Sequence, residues 1–280
     1  DQEEARQKLR QEITDLFQDQ YETVYIPAGR SLITVLTDRL AGIMDADDRT
    51  LDYCMRSYIR LTLNKRVEFK DGTSGLLDEK IHTTQIKIDR KKLDKLQDIM
   101  DRVLQGRYTY QMGEERLSLN DHRYVKINYA SSGQQEVVWV FNLLFYYLLE
   151  RKQIFLIIEE PEAHLYPDAQ KSITEALGIF GHERNQVMMT THSPYILGEL
   201  NNLLFANTIP NVLRDKLPMS EFELLPPSAT RVGHVINGYV NDGINNGFIQ
   251  NELIDGASDE INEEMQTLME LSWQAESENE

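Results

Sequence analysis

Two adjacent acids follow a short apolar run in the middle of the chain, and this arrangement constrains the fold more than any other feature. Residues 154–158 are all apolar, and Glu159, Glu160 and Pro161 follow them directly. An apolar run of this length is typical of a strand buried in a parallel sheet. Ligands of open α/β sheets bind at the carboxyl ends of such strands. The acids therefore form either a metal-and-water site or a polar strand end that reaches solvent.

The segment around these acids alternates between strand-like and helix-like stretches. A long apolar helix opens at SSGQQE (131–136), where Ser132 and Gln135 have the spacing of a capping box. The elements predicted after it are a strand at 154–158, a helix near Asp168, a strand at Val187–Thr191, a short helix after Pro194 and a strand at Leu203–Ala206. This order predicts an α/β fold in which crossover helices connect the strands of a parallel β-sheet.

The rest of the chain is predicted to be mainly helical at first and turn-rich towards the end. The predicted elements are a helix at 2–18, a strand at Thr23–Ile26, helices at 31–42 and 47–64, a loop at 71–75, an amphipathic helix at Ile88–Leu104, strands at 107–112 and 123–130, and an acidic helix near 259–273. The predicted divisions are a leading helix and strand (1–40), a helical insertion with a β-hairpin (41–125), a parallel-sheet lobe (126–210) and an acidic C-terminal extension (211–280).

The composition limits the partners that the chain can have. A net charge of −17 argues against nucleic-acid binding by the whole surface. The locally basic stretch KIDRKKLDKL (87–96) is interpreted either as a solvated helix face or as a nucleic-acid contact. The single cysteine, Cys54, excludes an internal disulfide and suits a reducing cytoplasm. No apolar stretch has the length of a membrane span, so we expect no membrane contact.

Three short stretches carry the groups that hydrolysis of a nucleoside triphosphate needs. They are SSGQQ (131–135), the pair Glu159–Glu160, and TTHSP (190–194), which contains His192. The N-terminus of a helix attracts anions through its unpaired N–H groups. Mg²⁺ prefers carboxylates, waters and phosphates as ligands, and a second carboxylate can deprotonate an attacking water. Histidine can donate a hydrogen bond to the charge that develops on the γ-phosphate.

Each of these stretches also has a purely structural interpretation when it is taken alone. The serines and glycine of SSGQQ (131–135) suit a helix cap, and adjacent glutamates suit a solvated strand end. His192 suits a core histidine whose ring bonds to the backbone. The functional interpretation depends on the three stretches occurring together and in this order.

The three stretches together resemble the C-terminal half of an ABC-type ATPase head. SSGQQ, LIIEEPEAHLYP (156–167) and TTHSP are most similar to the OLD-like and Septu-type ATPases of bacterial anti-phage defence, which are related to the SMC and double-strand-break-repair ATPases. The resemblance covers residues 126–206. It implies an ATPase that uses ATP and Mg²⁺ and that forms a homodimer through its nucleotide sites.

The resemblance further implies that one loop of the chain binds nucleotide. Its residues match the signature loop of the family: Ser131, Ser132, Gly133, Gln134 and Gln135. Ser132 and Gly133 take the positions that contact the γ-phosphate bound by the opposite subunit. Gln134 departs from the family pattern, because it replaces the second glycine.

The resemblance also implies roles for the acids and the histidine. Glu159 matches the Walker B acid that supports Mg²⁺, and Glu160 matches the catalytic base. His192 matches the switch histidine, and the stretch PEAHLYP (161–167) occupies the place of the D-loop, which communicates across the dimer.

A phosphate-binding P-loop, G-x-x-x-x-G-K-[ST], is missing from the sequence. In the resembled family this Walker A loop lies in an N-terminal lobe, so we expect the chain to be the latter part of a longer ATPase. The function that follows is an ATP-binding and ATP-hydrolysing subunit that regulates an effector, such as a nuclease or toxin, in anti-phage defence. The alternative is a catalytically inactive scaffold that assembles a defence or DNA-repair complex.

Arg30 lies just after the predicted strand Thr23–Ile26, in the stretch VYIPAGRS (24–31). One interpretation is that its guanidinium contacts a phosphate or a nucleic-acid backbone. The other is that Arg30 is an ordinary surface arginine after a turn.

Overall fold

The computed structural model describes residues 20–35, 51–83, 88–119, 123–182, 184–250 and 252–277, together with scattered positions before residue 20. The predicted helix at 2–18 lies largely outside the described residues. Residues 36–50, which include parts of the helices predicted at 31–42 and 47–64, lie wholly outside them. The chain divides into two compact units, residues 1–191 and residues 192–280.

The first unit combines a parallel sheet, an antiparallel sheet and several helices. Its elements in chain order are β1 (Glu22–Ile26), α1 (Ser31–Val35), α2 (Tyr53–Lys65), α3 (Gly72–Thr83), α4 (Arg90–Leu104), β2 (Arg107–Gln111), β3 (Glu114–Ser118), β4 (Tyr124–Lys126), α5 (Ser132–Glu150), β5 (Ile154–Glu159), α6 (Pro167–Gly181) and β6 (Gln186–Thr190).

The parallel sheet has the order β1–β5–β6, with β5 in the centre and parallel to both neighbours. Ile158 lies opposite Ile26 on one side and Met189 on the other. Alternate residues of β5 are buried, which leaves its second face partly open. The α/β fold with a parallel sheet and crossover helices is therefore confirmed.

The outer strand β6 has a described neighbour on one side only, which is β5. Alternate residues along β6 are exposed, and Met188 is 54% exposed. Within the described part of the first unit, β6 is thus an edge strand with an apolar side chain in the open.

The identity of the third strand differs from the prediction. Leu203–Ala206 was predicted to be a strand, but it lies within a helix, α7 (Pro194–Thr208). The third strand of the parallel sheet is instead β1, near the start of the chain. The prediction was wrong because a four-residue apolar run does not distinguish a strand from the buried side of a helix.

Two further predictions in the first unit are corrected. The stretch 71–75 was predicted to be a loop, but α3 begins at Gly72 and runs through it. The β-hairpin predicted in the insertion has a further strand, because β3 lies between the two predicted strands and pairs with both β2 and β4. The insertion therefore carries a three-stranded antiparallel sheet.

Helix α5 passes through the core of the first unit, since every residue from Glu136 to Tyr147 is buried. Trp139 of this helix stacks edge-to-face against Tyr108 of β2. The carboxylate of Glu115, only 3% exposed, accepts hydrogen bonds from the indole Nε1 of Trp139 at 2.8 Å and from the hydroxyl of Tyr108 at 2.6 Å. These two donors satisfy a carboxylate that burial would otherwise penalise.

The second unit is smaller and built around α7. Its further elements are β7 (Gly233–Ile236), β8 (Tyr239–Asp242), β9 (Ile244–Asn245), β10 (Phe248–Ile249) and α8 (Glu252–Ser277). Leu197, Leu204 and Ile249 form its apolar cluster. The side chain of Asn201 bonds to both the N–H and the C=O of Ile249. The predicted acidic helix near 259–273 is confirmed as part of α8.

No helix in the described part of the chain combines the length and the apolar character that crossing a membrane requires.

Replacing Trp139 with Phe is expected to destabilise the first unit. The substitution keeps an aromatic ring but leaves the buried Glu115 carboxylate without one of its two donors. The loss of a hydrogen bond to a buried charged group costs about 1.5–3 kcal/mol. Urea unfolding should show this decrease in the free energy of unfolding. Tyr129→Phe is the control, because Tyr129 is 77% exposed, and equal stability of the two variants would contradict the role of the Glu115 network.

Candidate functional site

Glu159 is the last residue of β5, and its carboxylate accepts hydrogen bonds from the end of β1 and from the turn that follows β1. One oxygen accepts a hydrogen bond from the hydroxyl of Tyr25, and the other accepts from the N–H of Ala28 at 2.9 Å. The hydrogen bond to Glu159 raises the pKa of Tyr25 to about 12, and burial and the Glu159 charge act in the same direction. Each carboxylate oxygen has a second lone pair, so the held group can still accept from a metal-bound water.

Glu160 has a strained backbone and an available carboxylate. Its φ is +42°, in the left-handed region that costs a residue with a side chain about 1–3 kcal/mol. Its N–H donates to the carbonyl of Thr190 at 2.9 Å, and its carbonyl accepts from the N–H of Ala163 at 3.0 Å. Among the described residues, no protein group hydrogen-bonds its carboxylate. A group free in this way can take a proton from a bound water.

Arg30 is only 2% exposed, and its guanidinium contacts the backbone of the two acids. Its Nη1 donates to the carbonyls of Glu159 at 2.8 Å and Pro27 at 3.2 Å, and its Nη2 donates to the carbonyl of Glu160 at 2.9 Å. Its Nε donates to the carbonyl of Glu136 at 3.1 Å and lies 3.4 Å from the carboxylate of the same residue. Both predictions for Arg30 were therefore wrong, because a buried guanidinium that is occupied by carbonyls is neither a surface group nor a phosphate contact.

The turn at the N-terminus of α5 begins one residue earlier than predicted. Ser131 is the N-cap, and it forms a reciprocal capping box with Gln134. The predicted box between Ser132 and Gln135 was wrong, because Ser132 is already the first residue of the helix. The backbone of Ser131 is extended, as an N-cap requires.

Most polar side chains of this turn are used within the fold. The amide of Gln134 donates to the carbonyl of Leu104 at 2.7 Å, and that of Gln135 donates to the carbonyl of Ala130 at 3.1 Å. Ser132 is exposed, and its hydroxyl has no hydrogen-bond partner in the part of the chain that the structure describes. Ser132 is therefore the side chain of the turn that is best placed to meet a ligand.

Gly133 brings this turn against the loop that follows the acids. A Cβ at Gly133 would lie 3.0 Å from the carbonyl oxygen of His164 and 3.3 Å from a methyl group of Leu165. His164 itself has a φ of +59°. The turn and the loop approach each other so closely that a larger residue at Gly133 would displace the backbone. The structure thus brings the SSGQQ turn and the segment after Glu159–Glu160 together in one unit.

His192 is the first residue of the second unit and is exposed. It follows Thr190, the last residue of β6, by two positions, and Thr190 lies opposite Glu159 in the sheet. Ser193 caps α7 directly after it, since its hydroxyl accepts from the N–H groups of Tyr195 and Ile196. The acids and the SSGQQ turn thus belong to the first unit, whereas His192 belongs to the second.

The described residues contain no group of three His, Cys, Asp or Glu side chains that could hold a metal ion. Mg²⁺ bound by one or two carboxylates takes its remaining ligands from waters and substrate phosphates. A single carboxylate such as Glu159 is compatible with that mode of binding, in which the nucleotide supplies most of the ligands.

Two residues of the site were not predicted from the sequence, namely Tyr25 and Arg30 in its structural role. The signal for them lies in the position of β1, which is parallel to β5 and ends at the same edge of the sheet. Residues 25–30 therefore meet the acids because parallel strands bring their carboxyl ends together.

Comparison with known proteins identifies the family of the chain. The model of the AAA ATPase domain matches residues 2–197, which is more than half of the 280 residues. The matched range contains the SSGQQ turn, both acids and His192. No curated protein matches the chain. ATP binding and hydrolysis are, in general terms, the activity of the matched domain. The chain belongs to the AAA ATPase domain family.

Proposed function

We propose that this chain is part of an ABC/SMC-like ATPase that forms a homodimer around ATP and Mg²⁺ and regulates an effector, such as a nuclease or toxin, in bacterial anti-phage defence. The observation that carries the proposal is the close approach of Gly133 to the carbonyl of His164. In this proposal the turn at 131–135 contacts the nucleotide of the opposite protomer, and Glu159 and Glu160 act on the nucleotide of their own protomer. The close approach places the turn against the loop that follows these two acids.

In this proposal the two acids have different tasks. Glu160 accepts the proton of the attacking water, because its carboxylate has no described protein partner. Glu159 supports Mg²⁺ through the lone pairs that Tyr25 and Ala28 leave unused. Mg²⁺, when bound, would neutralise negative charge on the phosphates. His192 donates a hydrogen bond to the γ-phosphate.

The SSGQQ turn contacts the nucleotide of the opposite protomer. The Ser132 hydroxyl and the first N–H groups of α5 are the donors for the γ-phosphate. Ser131 and Gln134 hold the turn in shape through the capping box, and the amides of Gln134 and Gln135 do so through their bonds to the carbonyls of Leu104 and Ala130. The phosphate-binding Walker A loop would come from another part of the full-length protein, since the sequence contains no G-x-x-x-x-G-K-[ST] stretch.

Two further parts of the proposal concern location and nucleic acid. The single Cys54 supports a cytoplasmic location. In the basic segment 87–96, Arg90 and Lys91 are exposed at the start of α4, and they are the candidate contacts to nucleic acid. Lys92 is buried and donates to the carbonyl of His182, so it belongs to the fold rather than to that surface.

A catalytically inactive scaffold is the alternative function. The observation in its favour is that both oxygens of Glu159 already accept hydrogen bonds from the protein, as a structural strand end would. A scaffold of this kind would keep the fold and the dimer contact but would not turn over ATP.

Replacing Glu160 with Gln in the full-length protein is expected to abolish ATP hydrolysis while ATP binding is retained. The amide cannot accept the proton of the water, and general-base catalysis contributes about 10²–10⁴-fold to a rate. Phosphate release should therefore fall by about 10²-fold or more, and equilibrium binding of ATP should stay unchanged. Glu79→Gln, on the exposed side of α3, makes the same chemical change and should leave the rate unaltered. Normal turnover in Glu160→Gln would refute the assignment.

Replacing Ser132 with Ala is expected to weaken ATP-dependent dimerisation. A hydrogen bond to a charged group contributes about 1.5–3 kcal/mol, which corresponds to about tenfold or more in affinity for each contact. Sedimentation of the full-length Glu160→Gln protein, with and without Ser132→Ala, measures the dimer in the presence of ATP. Ser74→Ala, on the exposed face of α3, is the matched control. A dimer of unchanged affinity would remove Ser132 from the proposed interface.

A further inference from the structure

The backbone of Glu160 is held in its conformation from two sides. The N–H of Glu160 donates to the carbonyl of Thr190, and its carbonyl accepts from Nη2 of Arg30 at 2.9 Å. A positive φ at a residue with a side chain persists only when surrounding contacts enforce it. Because φ determines where the side chain leaves the backbone, these contacts also determine where the Glu160 carboxylate points.

The Arg30 guanidinium supplies the enforcing contact through its fork of donors. It binds two consecutive carbonyls, those of Glu159 at 2.8 Å and Glu160 at 2.9 Å, from two different nitrogens. A guanidinium is planar and rigid, so two such bonds fix the orientation of both peptide groups. Arg30 is buried, and water does not compete for these bonds.

The other side of the same guanidinium is fixed by α5. The Nε of Arg30 donates to the carbonyl of Glu136 and lies 3.4 Å from its carboxylate. That carboxylate also accepts from the N–H of Ser31 at 3.3 Å, and Glu136 is buried. Glu136 lies one turn after Ser132 in α5. One buried side chain therefore connects the start of α5 with the peptide group that carries the candidate base.

We propose that Arg30 is a positioning residue for Glu160, and that it couples the SSGQQ turn of a protomer to the candidate base of the same protomer. The catalytic part of this proposal rests on the proposed ATPase function. Nucleotide that presses on the turn displaces the start of α5, and the Glu136–Arg30 link carries that displacement to the Glu160 peptide. Binding of ATP at one site of the dimer thereby aligns the base that serves the other site.

The test compares Arg30→Lys and Glu136→Gln in the full-length protein. A lysine has its donors on one nitrogen and cannot bind both carbonyls in the same fork. Arg30→Lys should lower kcat for ATP about tenfold to hundredfold, since a misplaced catalytic group costs that much. The affinity for ATP should stay within about twofold, because the link touches no proposed phosphate donor. Glu136→Gln should change kcat in the same direction but less, since it keeps the backbone acceptor and removes only the charge.

A second measurement follows the link itself and needs no hydrolysis. Amide hydrogen exchange of residues 159–165 should become faster in Arg30→Lys and in Glu136→Gln than in the parent protein. Arg102→Lys is the matched control, because Arg102 also pairs with a buried glutamate, Glu175, at 2.9 Å. That variant should leave both the exchange of residues 159–165 and kcat unchanged.

The outcomes separate the coupling from the proposed function. Unchanged kcat in Arg30→Lys, or a loss of ATP affinity as large as the loss of kcat, overturns the positioning role. Unchanged exchange of residues 159–165 in Glu136→Gln overturns the coupling to α5, and this result counts even if Arg30→Lys does not fold. An unmodified protein that hydrolyses no ATP refutes the ATPase function, while faster exchange in Glu136→Gln still supports the structural link.

Discussion

The buried guanidinium of Arg30 is the interaction on which the arrangement of the site depends. A charge that is removed from water is costly unless it is paired and hydrogen-bonded, and breaking such a pair costs about 3–5 kcal/mol. Arg30 meets this requirement with the carboxylate of Glu136 and with carbonyls of the turn after β1, the end of β5 and the start of α5. These segments are far apart in the sequence, so the charge forces them into one rigid group. The backbone of the two acids is held in position because the buried Arg30 guanidinium binds the carbonyls of Glu159 and Glu160.

The elements that the sequence predicted correctly are those with a strong local signal. The strand at 154–158 and the long helix from the SSGQQ turn are both found, because an apolar run with a polar end or a helix cap needs no distant partner to be recognised. Leu203–Ala206 was misassigned because its apolar run is too short to reveal a period. The pairing of β1 with β5 joins residues more than a hundred positions apart, and no local pattern contains that information.

The site shows the same limit at the level of side chains. The sequence placed Glu159, Glu160 and the SSGQQ turn in one region, and the structure brings these segments together in the first unit. The sequence did not reveal that Gln134 binds the carbonyl of Leu104 or that Arg30 binds the carbonyl of Glu160. Both hydrogen bonds join residues that are distant in the chain. The residue type alone also gave a wrong prediction of the environment of Arg30. An arginine after a turn suggests a surface charge, and only its surroundings show that it is buried.

Among the described residues, β6 is an edge strand that could pair with a strand of another molecule. A strand with one described neighbour presents a row of N–H and C=O groups that a foreign strand can bind, and Met188 adds an apolar side chain to the same edge. Neither a proline nor a charged residue interrupts the stretch QVMMT of β6, so it lacks the usual protection against unwanted pairing. A Lys or Glu in place of Met188 would add a charge to this strand and so disfavour pairing with a foreign strand.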